Sequence, residues 1–174
     1  MTRELIDKTT KQFQIDQRPY VWDSGDMEPT RLDVVEGKQL LINLSWINYG
    51  RSPALRESGI GDIFVGPDCM EKADRWFASL GTNPLPGAPI KERVIPQGIP
   101  PSPEKAFGGF TTIATDHVLS HDEVIYILNT DKPIAMVSRI EYYDGFGNRN
   151  WSDKCLSRFK NGALPNCDRH NEMH

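Results

Sequence analysis

Hydrophobic and polar positions alternate most clearly over residues 38–49. Leu40, Ile42, Leu44 and Trp46 share one face, and Asn43 and Ser45 share the other. Period two marks a strand buried on one side. The pattern recurs towards the C-terminus, where Ile134, Met136, Ile140 and Tyr142 alternate with Ala135, Val137, Arg139 and Glu141. Asp144-Gly145-Phe146-Gly147-Asn148 follows as a turn and residues 149–159 as the return strand. Asn161-Gly162 then sends the chain back through Ala163 to Cys167. Further strands are predicted at 18–22, with Pro19 at the start, at 60–66, at 90–95 and at 107–115, with Gly108-Gly109 as a bulge.

Two stretches change period. Met70, Ala73, Trp76, Phe77 and Leu80 recur at helical spacing across 68–80. Asp68 and Glu71 have the spacing of a capping box, and Gly81 supplies the stop. Ser120 and Glu123 form a second capping box before Val124-Ile125-Tyr126-Ile127-Leu128, a short helix despite its β-branched residues. Residues 1–17 read as a short helix or an irregular lead-in. Residues 81–106 carry seven prolines and read as extended, turn-rich chain. The expected fold is therefore all-β: an immunoglobulin-like antiparallel β-sandwich with one or two short helical insertions. It occupies 17–174 as a single domain, after a lead-in or stalk remnant over 1–16.

Composition narrows the function classes. With 174 residues the chain fits one domain that buries about two-thirds of its extended surface. A net charge of −4 argues against a nucleic-acid binder built on positive charge. No apolar run approaches the roughly 20 residues of a membrane-spanning helix. The first 20 residues hold no apolar core of a secretory signal. The expectation is a cytosolic protein or an exported domain separated from its targeting segment.

The cysteines carry the sharpest local inference. A three-residue loop at Lys160-Asn161-Gly162 sets Phe159 opposite Ala163, and counting back sets Cys155 opposite Cys167. Directly opposed residues have Cβ atoms about 4.5–5.5 Å apart, near disulfide range. A Cys155–Cys167 bridge implies an oxidising compartment. Cys69, on the first helix, reads as a buried free thiol.

Four other constellations bear on chemistry. Cys155, Cys167, His170 and His174 offer zinc ligands, and a helical tail would put the two histidines on one face. Their spacing is not that of a zinc finger, so a solvated polar C-terminus is the plainer reading. Asp116, His117, His121, Asp122 and Glu123 offer a metal or acid–base cluster, against the simpler role of starting a helix. Trp22, Trp46, Trp76 and Trp151, with nearby tyrosines, suggest a stacking platform. Trp46 falls on the core face, leaving Tyr143 and Trp151 as the surface candidates for a ligand. Gly145-Phe146-Gly147 lacks the third glycine and following helix of a dinucleotide site. No catalytic residue and no cofactor is assigned.

Three segments in order resemble a group of uncharacterised bacterial membrane-anchored proteins. They are Gln17-Arg18-Pro19-Tyr20-Val21, Asn48-Tyr49-Gly50-Arg51-Ser52-Pro53-Ala54, and Ile140-Glu141-Tyr142-Tyr143-Asp144-Gly145-Phe146-Gly147 leading to Cys155. In that group a β-sandwich domain follows membrane-spanning and helical stalk segments, and the resemblance covers most of 17–174. It implies a binding or interaction module at the cell envelope, on the periplasmic or extracellular side. It also implies membrane association only through a segment absent from this chain. No activity transfers. Within the second segment, Gly50 and Pro53 are expected to bend the chain where a strand leaves its sheet. The alternatives are a metal-dependent hydrolase using the His/Asp/Glu cluster, or a structural cap on a stalk oligomer.

Overall fold

The structure, a computed structural model, describes residues 2–23, 34–85, 91–95, 97, 109–129, 134–157 and 166–174. In chain order the elements are α1 (Thr2–Gln17), β1 (Val21–Asp23), β2 (Leu41–Asn48), β3 (Ala54–Val65), α2 (Cys69–Leu80) and β4 (Lys91–Ile95). They continue with β5 (Gly109–Ala114), α3 (His121–Leu128), β6 (Ile134–Tyr143), β7 (Arg149–Ser157) and β8 (Glu172–Met173). The strands form two antiparallel sheets, β1-β2-β5 and β4-β3-β6-β7-β8. The predicted loop at 160–162 and Gly108 of the predicted bulge lie outside the described residues.

The alternating positions build the layer between the sheets. Ile42, Leu44, Trp46 and Ile113 face inward from the smaller sheet, and Ile63, Ile134, Met136, Ile140 and Tyr142 from the larger one. Leu119 and Ile127 close the same core from α3 and the chain before it. Backbone of β1 is fastened to the opposite sheet by side chains. Val21 N–H donates to Tyr142 Oη (3.4 Å), and Ser152 Oγ donates to the Val21 carbonyl (2.5 Å). Close sheet contact needs a bare backbone at Gly61, where a Cβ would meet the Ile113 side chain and the Val137 carbonyl.

Strand β6 is not half-buried as its alternation suggested. Nine of its ten residues are buried. Its second face packs under α2 in a separate apolar cluster of Cys69, Ala73, Phe77, Ala135, Val137, Cys155 and Cys167. The buried stripe of α2 is Cys69-Ala73-Phe77, so of the predicted positions Ala73 and Phe77 are buried, while Met70, Trp76 and Leu80 are half-buried beside them. Asp68 makes no side-chain cap. Its backbone sits at φ −94°, ψ 11°, and its carboxylate reaches Lys72 one turn on (3.1 Å). Ser120 and Glu123, in contrast, form both bonds of the capping box.

The two helical insertions are α2 and α3, and of the two readings of the lead-in 2–17 form a 16-residue helix. Two sequence expectations need correction. Strand β3 begins at Ala54 rather than at residue 60. Arg56 takes a left-handed φ of 52° and shifts the register, which breaks the alternation a strand would show. The tail after Cys167 is not helical; Asp168, Arg169, Glu172 and His174 are exposed, yet the chain is held in place. It turns at His170 (φ 62°) and adds β8 to the edge of β7, where His174 N–H and C=O both bond to Trp151.

Residues 49–53 carry the chain from one sheet to the other, since β2 belongs to the smaller sheet and β3 to the larger. Asn48 organises the crossing. Its Oδ1 accepts from Tyr20 N–H (3.0 Å) and Gly50 N–H (2.9 Å). Its Nδ2 donates to the carbonyls of Ser52 (2.7 Å) and Ile95 (3.2 Å). Gly50 is required because a Cβ there would strike the backbone of Arg18, Pro19 and Tyr20.

Candidate functional site

The C-terminal tail runs along the edge of β7. Cys155 and Cys167 are joined as a disulfide with Cα atoms 5.3 Å apart. The flanking bridge Leu156–Asn166 keeps the register that sets these cysteines opposite each other. Cys167 N–H donates to the Cys155 carbonyl (3.0 Å). The remaining two groups go to Asn171, whose Oδ1 accepts from Cys155 N–H (3.2 Å) and whose Nδ2 donates to the Cys167 carbonyl (2.9 Å). A side-chain amide thus takes the place of a missing peptide group. Cys69 lies in the same apolar cluster as a buried free thiol, and burial pushes its thiol up from the ordinary range.

Beyond that cluster the same face of β6 and β7 is charged. Arg139 is a two-pronged partner of Asp153 (2.6 and 2.7 Å) and donates to the Gly81 carbonyl (2.7 Å). Arg149 pairs with Glu141 (2.6 Å) and donates to the carbonyls of Thr82 and Asn83, while Glu141 accepts from Leu85 N–H (3.0 Å). These side chains pin residues 81–85 over the sheet. On the opposite face of β7, Lys154 pairs with Asp23 and lies over the Trp22 ring.

The two sequence candidates for ligand stacking lie here. Tyr143 and Trp151 are both half-buried. Trp151 stacks on His174 (ring centroids 4.8 Å, 19° between planes), with the Arg149 and Arg139 guanidiniums 4.9 and 5.5 Å from its ring. The indole is therefore engaged by the protein's own side chains. His170 stacks on Phe77 (4.4 Å) and bonds Asp74 (2.8 Å), away from His174 on Trp151. The tail locks these two histidines to different elements and, with Cys155 and Cys167 consumed by the bridge, brings no metal set together. Among the described residues no group of three or more His, Cys, Asp and Glu side chains is arranged to hold a metal ion.

The cluster at the start of α3 is partly assembled. His117 lies between Asp116 (2.5 Å) and Glu123 (2.8 Å), and both hydrogen bonds hold its imidazole above the ordinary value. Asp62 across the sheet is raised by burial. His121 turns away to Glu36 (3.0 Å), so the five residues do not converge.

A cavity of about 240 Å³ lies where α1 meets the β6–β7 turn. Lys11, Gln14, Ile15 and Arg18 form one wall, and Asp144, Asn148 and Asn150 the other. Phe13 makes an edge contact with Phe146 (6.2 Å) that fastens the helix to the turn. The Arg18 guanidinium is held 4.6 Å over the Tyr20 ring, with its buried Nε unpartnered. Asp144 is engaged by its own turn, accepting from the N–H groups of Phe146 and Asn148 and from Asn148 Nδ2 (2.8–2.9 Å). Sequence reasoning missed this cavity. Arg18 and Lys11 fall on no periodic pattern, and only the docking of α1 brings them to the turn. No family model, curated protein or solved structure matches the chain.

Proposed function

We propose that the chain is a non-catalytic binding or interaction module of a bacterial cell-envelope protein, with an immunoglobulin-like sandwich as its scaffold. The observation that carries this reading is the cavity between α1 and the β6–β7 turn, which presents two basic side chains beside a rigid hairpin. Ligand sites favour concave junctions between elements that hold their walls in place. Two further features support it. The antiparallel sheets enclose one core, as sandwich modules do. The disulfide fits an oxidising compartment and so the outer side of the envelope. The partner is an envelope component, engaged without chemical turnover.

The test is saturable binding of the fluorescently labelled chain to washed bacterial envelope preparations, with unlabelled chain as competitor. Saturation and full competition are expected. Binding that rises linearly with concentration and resists competition would sink the reading.

A further inference from the structure

From the charge balance of the α1–hairpin cavity we infer that it is a carboxylate-binding site, with Arg18 and Lys11 as the recognising cations. The inference rests on the reading of the chain as an interaction module and names the chemistry that module recognises. The argument begins with unmatched charge. Among the described residues, neither Lys11 nor Arg18 forms an ion pair or a side-chain hydrogen bond, although Asp7 and Asp16 share the helix. Two other acids of α1 have partners of their own, and Asp7, one turn before Lys11, does not line the cavity. Asp16 accepts from Gln12 (2.9 Å), and Glu4 pairs with Lys8. Asp144 is the one acid of the lining, and three donors of its own turn satisfy it. The lining therefore keeps one positive charge in excess, and the acid that balances part of it points its lone pairs into the turn.

Sign and size then choose the ligand. A cation would have to compete with Lys11 and Arg18 for an aspartate that already accepts three hydrogen bonds. A phosphate ion has no methylenes to lay against Ile15. A carboxylate on a short alkyl chain does. The planar guanidinium of Arg18 offers the fork that carboxylates take two-pronged, and its Cζ lies 4.6 Å over the Tyr20 ring. Gln14 adds an amide donor, and Ile15 an apolar wall for the methylenes that carry the acid. A volume of about 240 Å³ lies below the roughly 300–1,000 Å³ of pockets for drug-sized ligands. It suits one glutamate-sized side chain or a short free dicarboxylic acid.

The experiment is an amide and arginine Nε–H nuclear magnetic resonance titration of the whole chain. The probes are glutarate, a blocked Gly-Glu-Gly peptide, the matching Gly-Gln-Gly peptide and inorganic phosphate. Glutarate and the glutamate peptide should shift the Arg18 Nε–H and the backbone around 144–150 saturably, and the glutamine peptide should not. Arg18→Gln and Lys11→Gln should each weaken binding, the first by about tenfold, as expected for losing a charge-assisted bond. Lys11 is exposed on α1, so its variant retains the fold even if replacement of the stacked Arg18 perturbs β1. Tighter binding of the peptide than of glutarate assigns the acid to a partner chain. The reverse order assigns it to a free small acid. Phosphate binding tighter than glutarate, or unchanged binding in both variants, overturns the inference. Envelope binding that persists undiminished in both variants would overturn the site and leave the module reading standing.

Discussion

The backbone N–H of Tyr20 donates to the side-chain oxygen of Asn48 (3.0 Å), linking residues 28 apart in sequence. Asn48 has two donors and one acceptor oxygen, and all of them are used, on four different residues. Asn48→Ala would leave those four backbone groups without this partner at a fully buried position. A loss of about 3–5 kcal/mol is expected from stranded buried polar groups. Asn48→Asp should cost at least as much, because it turns a donor to the Ser52 and Ile95 carbonyls into a buried charge beside them. Urea unfolding midpoints check both, and a midpoint unmoved by Asn48→Ala would contradict the hub.

The disulfide closes a loop between cysteines separated by 12 residues. In the chain-entropy account a loop of that length stabilises the fold by about 3 kcal/mol. Cys155→Ala/Cys167→Ala should lower stability by about that amount in non-reducing buffer, and added reductant should have no further effect on the variant. Asn171→Ala should lower it by about 1–2 kcal/mol, because two backbone groups beside the bridge lose their partner. Differential scanning calorimetry with and without reductant separates the two contributions. A double variant as stable as the wild type would show that the bridge adds no stability.

What the sequence made legible follows from which signals are local. Leu40, Ile42, Leu44 and Trp46 announce the core because each sits two residues from the next. The Cys155–Cys167 register was legible because the loop expected at 160–162 turns position into arithmetic, and the Leu156–Asn166 bridge has that register. The other face of β6 was hidden by the same alternation. Ala135 and Val137 are small enough to read as surface, yet they meet α2. Arg139 and Glu141 read as solvated, yet they bond residues 81–85, a segment far away in sequence. No period encodes such pairings. His170 and His174 looked like partners because of their spacing, but a left-handed His170 sends them to Phe77 and Trp151.

The Arg139–Asp153 pair is buried on both sides, at 4% and 9% side-chain exposure. Such a pair returns much of its desolvation cost only while both members are present. Arg139→Met alone should destabilise by about 3–5 kcal/mol, since it leaves Asp153 as an uncompensated buried carboxylate. Arg139→Met/Asp153→Leu should recover most of that loss. Release of Gly81 from Arg139 should meanwhile loosen residues 81–85, visible as faster amide hydrogen exchange at Leu85. A double variant no more stable than the single one would mean that the pair acts through shape rather than charge.

His117 gives the fold a pH dependence of defined sign. The Asp116 and Glu123 carboxylates hold its imidazole above the ordinary value. Partial burial opposes ionisation of Glu123, but the Ser120 N–H and His117 outweigh it and hold the carboxyl below its ordinary value. A histidine raised on folding stabilises fully below its unfolded value of about 6.5. That contribution is lost as pH rises through the folded value. The lowered glutamate stabilises above its own unfolded value and loses that contribution as pH falls through the folded one. The pair thus contributes most between the ordinary glutamate and histidine values. Its ions are partly solvated, at 48% exposure for His117 and 26% for Glu123, so screening limits the term to about 1 kcal/mol or less. Wild type and His117→Gln should therefore differ most near pH 5.5–6 and converge towards pH 9, with the gap narrowing in high salt. Chemical unfolding at a series of pH values measures this. A gap that widens towards alkaline pH would reverse the sign and show that His117 acts as a neutral hydrogen-bonding group.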